Sequence, residues 1–237
     1  MKKISRYLLL LALLGGCSSL HSPFVPAPAP APVAAPMADT DDPVATWYRN
    51  AVSTGKLVYR VETGESLIAV TVRRGGALSR LGHDHVVASR GITGYVAPDA
   101  GRADFQFRLD QMIVDEPGLR KEAGLDTVPD AQAIAGTRTN MLTKVLEAER
   151  FPVVVLHAET VPGKGDKLNL SITLHGVTRT IVVPTKVESS AGRVVASGAF
   201  TLKQTDFGIK PMSIMGGAVS VQDPMELRFR IVATSGR

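Results

Sequence analysis

The sequence predicts an all-β domain of many short antiparallel strands, a sandwich or a barrel, with one or two short helices. Three observations predict it. Apolar and polar residues alternate with period two in several runs, the pattern of half-buried strands. Turn signals such as His175-Gly176 separate those runs. The chain has one cysteine, Cys17, so no internal disulfide can form. About 180 residues of folded chain must therefore be held by an ordinary hydrophobic core, for which that length is sufficient.

In chain order, residues 1–6 are a short basic stretch, 7–14 an apolar run, and Gly15-Gly16-Cys17 closes it. Basic start, apolar run and small residues in that order make a secretory signal. The run is far shorter than the ~20 residues a spanning helix requires. Leu14-Gly15-Gly16-Cys17 resembles the lipobox of bacterial lipoproteins. The resemblance implies that residues 1–16 are removed and that Cys17 is lipidated with fatty acyl chains such as palmitate. Ser18, rather than an aspartate, follows the cysteine. By the same resemblance the protein is a cell-envelope lipoprotein of the outer membrane, facing the periplasm. The plainer reading is an ordinary secretory signal with an incidental cysteine. Residues 23–36 read PFVPAPAPAPVAAP, which favours extended polyproline II over helix or sheet. At ~3.1 Å per residue this stalk spans roughly 40 Å. The expected plan is a signal peptide at 1–16, a lipidated cysteine and Pro/Ala-rich stalk at 17–54, and one barrel domain at 55–235. Folded structure is expected to begin between Asp42 and Lys56.

Strands follow. Ala103, Phe105, Phe107 and Leu109 interleave with Arg102, Asp104, Gln106 and Arg108. Leu168, Leu170, Ile172 and Leu174 interleave with Asn169, Ser171 and Thr173. Met225, Leu227, Phe229 and Ile231 interleave with Glu226, Arg228 and Arg230. Further strands are predicted over 57–63, 67–73, 86–96, 153–161, 180–188 and 193–203. A short helix is predicted over 117–124. A longer one is predicted over 130–150, where Met141, Leu142, Val145 and Leu146 form one stripe and Pro152 prevents continuation. Asn140, beside Arg138 at the start of that stripe, reads as a local cap. Residues 208–217 read as a flexible rim loop with two methionines.

Composition narrows the function. Basic residues outnumber acidic ones 27 to 22, but Lys2, Lys3 and Arg6 lie in the signal, leaving 24 against 22. That balance gives no electrostatic footprint for nucleic acid. Aromatics at 5 % are too few for base-stacking platforms. With Cys17 committed to the anchor no thiol nucleophile remains. No G-x-S-x-G, H-E-x-x-H, P-loop or dinucleotide fingerprint occurs.

Four phrases together carry a resemblance: Leu81-Gly82-His83-Asp84-His85, the segment MLTKVLEAERFP from Met141 to Pro152, Leu174-His175-Gly176-Val177-Thr178-Arg179, and Thr205-Asp206-Phe207-Gly208-Ile209. In this order and spacing they resemble the YceI-like, lipid- or polyisoprenoid-binding family, over about residues 55–233. The resemblance implies a lipocalin-like antiparallel β-barrel of about eight strands around a long apolar channel. It implies an isoprenoid ligand, a quinone or polyprenyl lipid, and no certain cofactor. Gly82-His83-Asp84-His85 departs from the single histidine of many members.

On the inward faces of such a barrel Phe105, Phe107, Leu109, Leu156, Leu170, Ile172, Phe200, Leu202, Leu227 and Phe229 are the candidate ligand-lining residues. Plain core packing predicts the same alternation, so the pattern leaves a filled or a hollow interior open. His83 and His85 lie two apart and on a strand share a side. With a third donor from His157, His175 or a carboxylate they can bind a divalent metal; otherwise they hydrogen-bond at the turn before the strand. The expected partners are an apolar lipid, the membrane through the anchor, and an envelope protein, with no nucleic acid. The competing classes are a metal-binding or partner-docking barrel with a filled core and a lipid hydrolase or isomerase.

Overall fold

The computed structural model describes residues 42–125 and 127–235; the signal, Cys17 and the Pro/Ala-rich run lie outside them. The first element is a helix that strand alternation cannot reveal. The Asp42 carboxylate accepts from the Val44 N–H at 2.9 Å and Pro43 sits in the first turn, so helix α1 (Pro43–Ser53) starts with a satisfied end. It occupies residues that the sequence reading counted with the stalk. Ala45, Tyr48 and Ala51 form its buried face. Tyr48 donates its hydroxyl to Asp104 Oδ2 at 2.9 Å. Burial and the Asp104 carboxylate push its phenol well above the ordinary value. Arg102 stacks its guanidinium 4.3 Å from the Trp47 ring centroid and donates to Asp104 at 2.7 Å. The helix is thereby bound to one outer wall.

The strands are β1 (Tyr59–Val61), β2 (Leu67–Gly75), β3 (His85–Ser89), β4 (Thr93–Ala97), β5 (Arg102–Arg108), β6 (Ile113–Val114), β7 (Val153–Val161), β8 (Lys164–Leu174), β9 (Val177–Pro184), β10 (Lys186–Ser190), β11 (Arg193–Lys203), β12 (Ser213–Ile214) and β13 (Val219–Thr234). All pairings are antiparallel. β13 is the organising strand. One edge carries β11, from Arg193↔Thr234 to Lys203↔Pro224. The other carries β2 and, past a bend, β1. β1 pairs β4 and β2 pairs β3, so the β3–β4 bend follows the β1–β2 bend. From β4 the ladder runs through β5, β7 and β8 to β9. β10 pairs β11 and follows β9 after Thr185 alone. Leaving out the two-residue strands β6 and β12 and counting β1–β2, β3–β4 and β9–β10 as bent strands gives a lipocalin-like circuit of eight strands, returned to its start by the chain at Thr185.

Three sequence expectations are corrected, two of them at the bends. The strand predicted over 86–96 breaks at Arg90-Gly91-Ile92, where pairing switches from β2 to β1. Ile92 is fully buried at that corner, and its carbonyl accepts from the Thr63 hydroxyl at 2.9 Å. The strand predicted over 180–188 breaks because Pro184 has no N–H and Thr185 N turns to Asp166 O at 2.8 Å. Gly198 faces this break: a Cβ there would collide with the Pro184 carbonyl and the Phe229 ring. Leu109 ends β5 in a 3-10 turn rather than continuing the strand. The 208–217 segment also holds structure, because β12 pairs β13 at Ile214↔Val219.

The helix predicted over 117–124 is α2 (Pro117–Glu122). The one predicted over 130–150 is α-helical only as α3 (Ala131–Asn140). A π-type turn over Met141–Val145 follows, closed by Leu146 N to Met141 O at 2.9 Å. The wider turn packs Met141, Leu142, Val145 and Leu146 together on the core. Asp130 is the cap, accepting from Ala133 N at 2.7 Å; Asn140 makes no capping bond. The His175-Gly176 turn joins β8 to β9 with φ of 53° and 74°, the positive pair of a two-residue hairpin. Among the described residues no helix is long and apolar enough to cross a membrane.

Candidate functional site

The inward faces of the eight strands enclose a cavity of about 590 Å³, within the range of small-molecule sites. Its wall follows the period-two rule strand by strand. β2 contributes Ile68, Val70 and Val72; β5 contributes Ala103, Phe105 and Phe107; β7 contributes Val154, Leu156 and Ala158. β8 contributes Leu168, Leu170, Ile172 and Leu174, and β13 contributes Met225, Leu227, Phe229 and Ile231.

All ten candidate lining residues face this cavity: Phe105, Phe107, Leu109, Leu156, Leu170, Ile172, Phe200, Leu202, Leu227 and Phe229. Phe107, Leu109, Leu156, Leu170, Ile172 and Leu202 are buried. Phe105, Phe200, Leu227 and Phe229 point inward yet are only half-buried. An inward side chain keeps exposed surface only where the interior is not filled by its neighbours. Phe200 and Phe229 meet edge to face at 6.2 Å on the cavity wall. The interior is hollow, unlike the filled core that the same alternation also permits.

One end of the cavity differs in chemistry. Thr137, Asn140, Met141 and Val145, from α3 and its π-type turn, reach across it beside His83 and His85. His85 opens β3, pairs with Val72 and shares its inward face with Val87. Its Nδ1 lies 2.6 Å from Asp115 Oδ2, and its Nε2 lies 3.3 Å from the Thr137 hydroxyl. Asp115 Oδ1 accepts from Val86 N at 3.0 Å and Arg120 Nη1 at 2.5 Å. Arg120 also donates to the carbonyls of Asp84 and Thr127. The Asp115 side chain is 0 % exposed and that of Arg120 6 %. Burial alone would raise the Asp115 carboxyl. The hydrogen bonds from His85, Val86 and Arg120 outweigh it and hold the group below the usual carboxylate range. Asp115 also adopts φ of 60°, a left-handed conformation that Asp tolerates better than most residues.

The histidine pair is not assembled with a third donor. His83 and His85 lie on one side, ring centroids 6.1 Å apart, but His157 Nδ1 is bonded to Asp104 at 2.7 Å on the outer wall. His175 Nε2 is paired with Glu147 at 3.2 Å. Asp84 accepts from the Arg74 N–H at 2.8 Å. Among the described residues no group of three or more His, Cys, Asp or Glu is placed to hold a metal ion. His85 also bonds a carboxylate, not the backbone of a turn. Asp115, Arg120 and Thr137 are site residues that sequence reasoning missed. They are far from His85 in the chain and belong to no period-two run.

Comparison with known proteins bears on the same region. The family described as the YceI-like domain matches residues 59–233, from β1 to the end of β13. The chain belongs to the YceI-like family. A structure described as a polyisoprenoid binding domain from Saccharophagus degradans, implicated in plant cell wall breakdown, is 12 % identical; the match has a TM-score of 0.54 and covers 76 % of this chain and 100 % of that one. BcnA of Burkholderia cenocepacia is 15 % identical at a TM-score of 0.51, covering 73 % of this chain and 99 % of that one. Among curated proteins none matches the chain. At these identities the structures share the YceI-like fold. The match begins after α1, so Tyr48 lies outside the matched region and its partner Asp104 inside it.

Proposed function

We propose that this YceI-like protein binds one long apolar lipid, an isoprenoid chain, in the barrel cavity and carries it without chemical change. The observation that carries the reading is the hollow apolar lumen of about 590 Å³ with half-buried phenylalanines facing it. Each buried methylene contributes ~0.8 kcal/mol, so part of a polyprenyl tail offsets the cost of ordering it. Such a chain needs no charged partner along its length, and the inward faces of the strands are mostly apolar. The description of the Saccharophagus degradans neighbour as polyisoprenoid-binding supports the ligand class. The lipobox-like Leu14-Gly15-Gly16-Cys17 and the stalk after it support a tethered protein of the outer membrane, facing the periplasm.

The test is to purify the full chain, extract it and identify bound lipid by mass spectrometry, then to offer a quinone and a polyprenol to the stripped protein. The expected result is an isoprenoid or acyl chain in the extract at near one per protein, and saturable uptake afterwards. Repeated extracts free of lipid, with no uptake of either compound, would overturn the proposal. Metabolic labelling with a radioactive fatty acid tests the anchor: label is expected in the wild type and absent from Cys17→Ser.

A further inference from the structure

We propose that His85 and Thr137 form a head-group subsite for a hydroxyl-bearing lipid, a prenol or quinol, at the polar end of the cavity. This rests on the lipid-binding reading above and names the head that the chain would carry.

The wall of the cavity is mostly apolar, and behind His85 the structure buries an ion pair, Asp115 with Arg120. Buried ions are costly to desolvate, and this one is fully hydrogen-bonded on both carboxylate oxygens. Its geometric effect is on His85. Asp115 can only accept, so it takes the Nδ1 hydrogen and fixes which ring nitrogen faces the lumen. In the neutral ring Nε2 is then a lone-pair acceptor aimed at the cavity. Its partner is the Thr137 hydroxyl at 3.3 Å, longer than a well-formed O–H···N bond. A small oxygen entering beside this pair improves it.

The donor count selects the class of oxygen. A ligand hydroxyl donates to His85 Nε2 and accepts from the Thr137 hydroxyl, so each of the three groups is satisfied. An ether or a carbonyl oxygen can accept from Thr137 but has no hydrogen for Nε2. It removes the threonine from the histidine and leaves a buried acceptor without a partner, which is the costly arrangement. Asn140 lines the same end and can serve either kind of oxygen, so it does not discriminate.

The test uses the full chain and three ligands on one C20 isoprenoid skeleton: geranylgeraniol, its methyl ether and the parent hydrocarbon. Each displaces a fluorescent apolar probe from the cavity. The wild type is expected to bind the alcohol about tenfold more tightly than the ether, the equivalent of one net hydrogen bond. His85→Leu, which removes the Nε2 acceptor, is expected to reduce that ratio to about one, and Thr137→Val, which leaves Nε2 dependent on the ligand hydrogen, to keep or raise it, while binding of the hydrocarbon stays within twofold in both. If His85→Leu does not fold, as judged by circular dichroism, Thr137→Val and the wild-type ligand series decide alone. Equal affinity for alcohol and ether in the wild type overturns the subsite and leaves the lipid-binding reading intact. An alcohol preference that survives in folded His85→Leu, or that falls to about one in Thr137→Val, also overturns it, placing the head elsewhere. Failure of all three ligands to displace the probe or to bind directly defeats both proposals.

Discussion

Replacing Asp115 with alanine tests the network behind His85. In the folded protein Asp115 accepts from His85, from the Val86 N–H and from Arg120. Removing it leaves a guanidinium whose side chain is 6 % exposed without its counter-charge. Breaking a buried pair from one side costs about 3–5 kcal/mol. Arg120 keeps its bonds to the Asp84 and Thr127 carbonyls, which favours the lower end. Alanine at φ of 60° adds roughly 1 kcal/mol of backbone strain. The expected loss is therefore about 4 kcal/mol, read from urea unfolding at pH 7. Asp115→Asn, which tolerates the backbone, should lose about 1 kcal/mol less, and Arg120→Met should recover part of the loss in the double variant. The pH dependence has a definite sign. The Asp115 carboxyl titrates lower in the folded chain than in the unfolded one. Its contribution is thus present above about pH 4, the unfolded value, and is lost as pH falls through the folded value. Stability of Asp115→Asn should fall less steeply than that of the wild type below pH 4. A loss under about 1 kcal/mol for Asp115→Ala, with an unchanged acid profile, would refute the reasoning about this network.

Other outcomes follow from the hollow interior and from helix α1. Phe207 is fully buried and Phe105 faces the lumen, so Phe207→Ala should cost about 3–5 kcal/mol and Phe105→Ala clearly less, by denaturant unfolding. Ala158→Trp places a ring in the cavity; it should weaken binding of a C20 isoprenoid at least tenfold by probe displacement, with a stability change below about 1.5 kcal/mol because the space already exists. Tyr48→Phe removes the donor to Asp104 and should cost about 1 kcal/mol, with faster protease cleavage within residues 43–54. Gly198→Ala should destabilise the barrel by about 1–3 kcal/mol, since its Cβ meets the Pro184 carbonyl and the Phe229 ring.

Much of the wall was legible because strand alternation is a local property. Each residue of β5, β8 and β13 takes its face from its neighbours two positions away, and inward Phe105, Leu170 and Leu227 follow from that period alone. The turn at His175-Gly176 was legible for a similar reason, since a hairpin of two residues needs positive φ at both. The bends were not. Breaks at Arg90-Gly91-Ile92 and at Thr185 occur where one strand changes partner, and a partner change leaves no period in the strand that makes it. Helix α1 was hidden because its two capping residues, Asp42 and Pro43, sit beside a Pro-rich run and its apolar face is only Ala45, Tyr48 and Ala51.

The sequence by itself determined which side chains of the regular strands face inward, and the order of those strands, their hairpin turn and the helices after β6 along the chain. Tertiary structure alone decided that the inward faces stand apart and leave a lumen, because the space inside depends on how many strands close the ring and not on the pattern of any one. It also decided what stands at the end of that lumen. His85, Asp115, Arg120 and Thr137 meet only when β3, the chain before and within α2, and α3 fold onto one another, since their hydrogen bonds reach across 5 to 52 residues of chain.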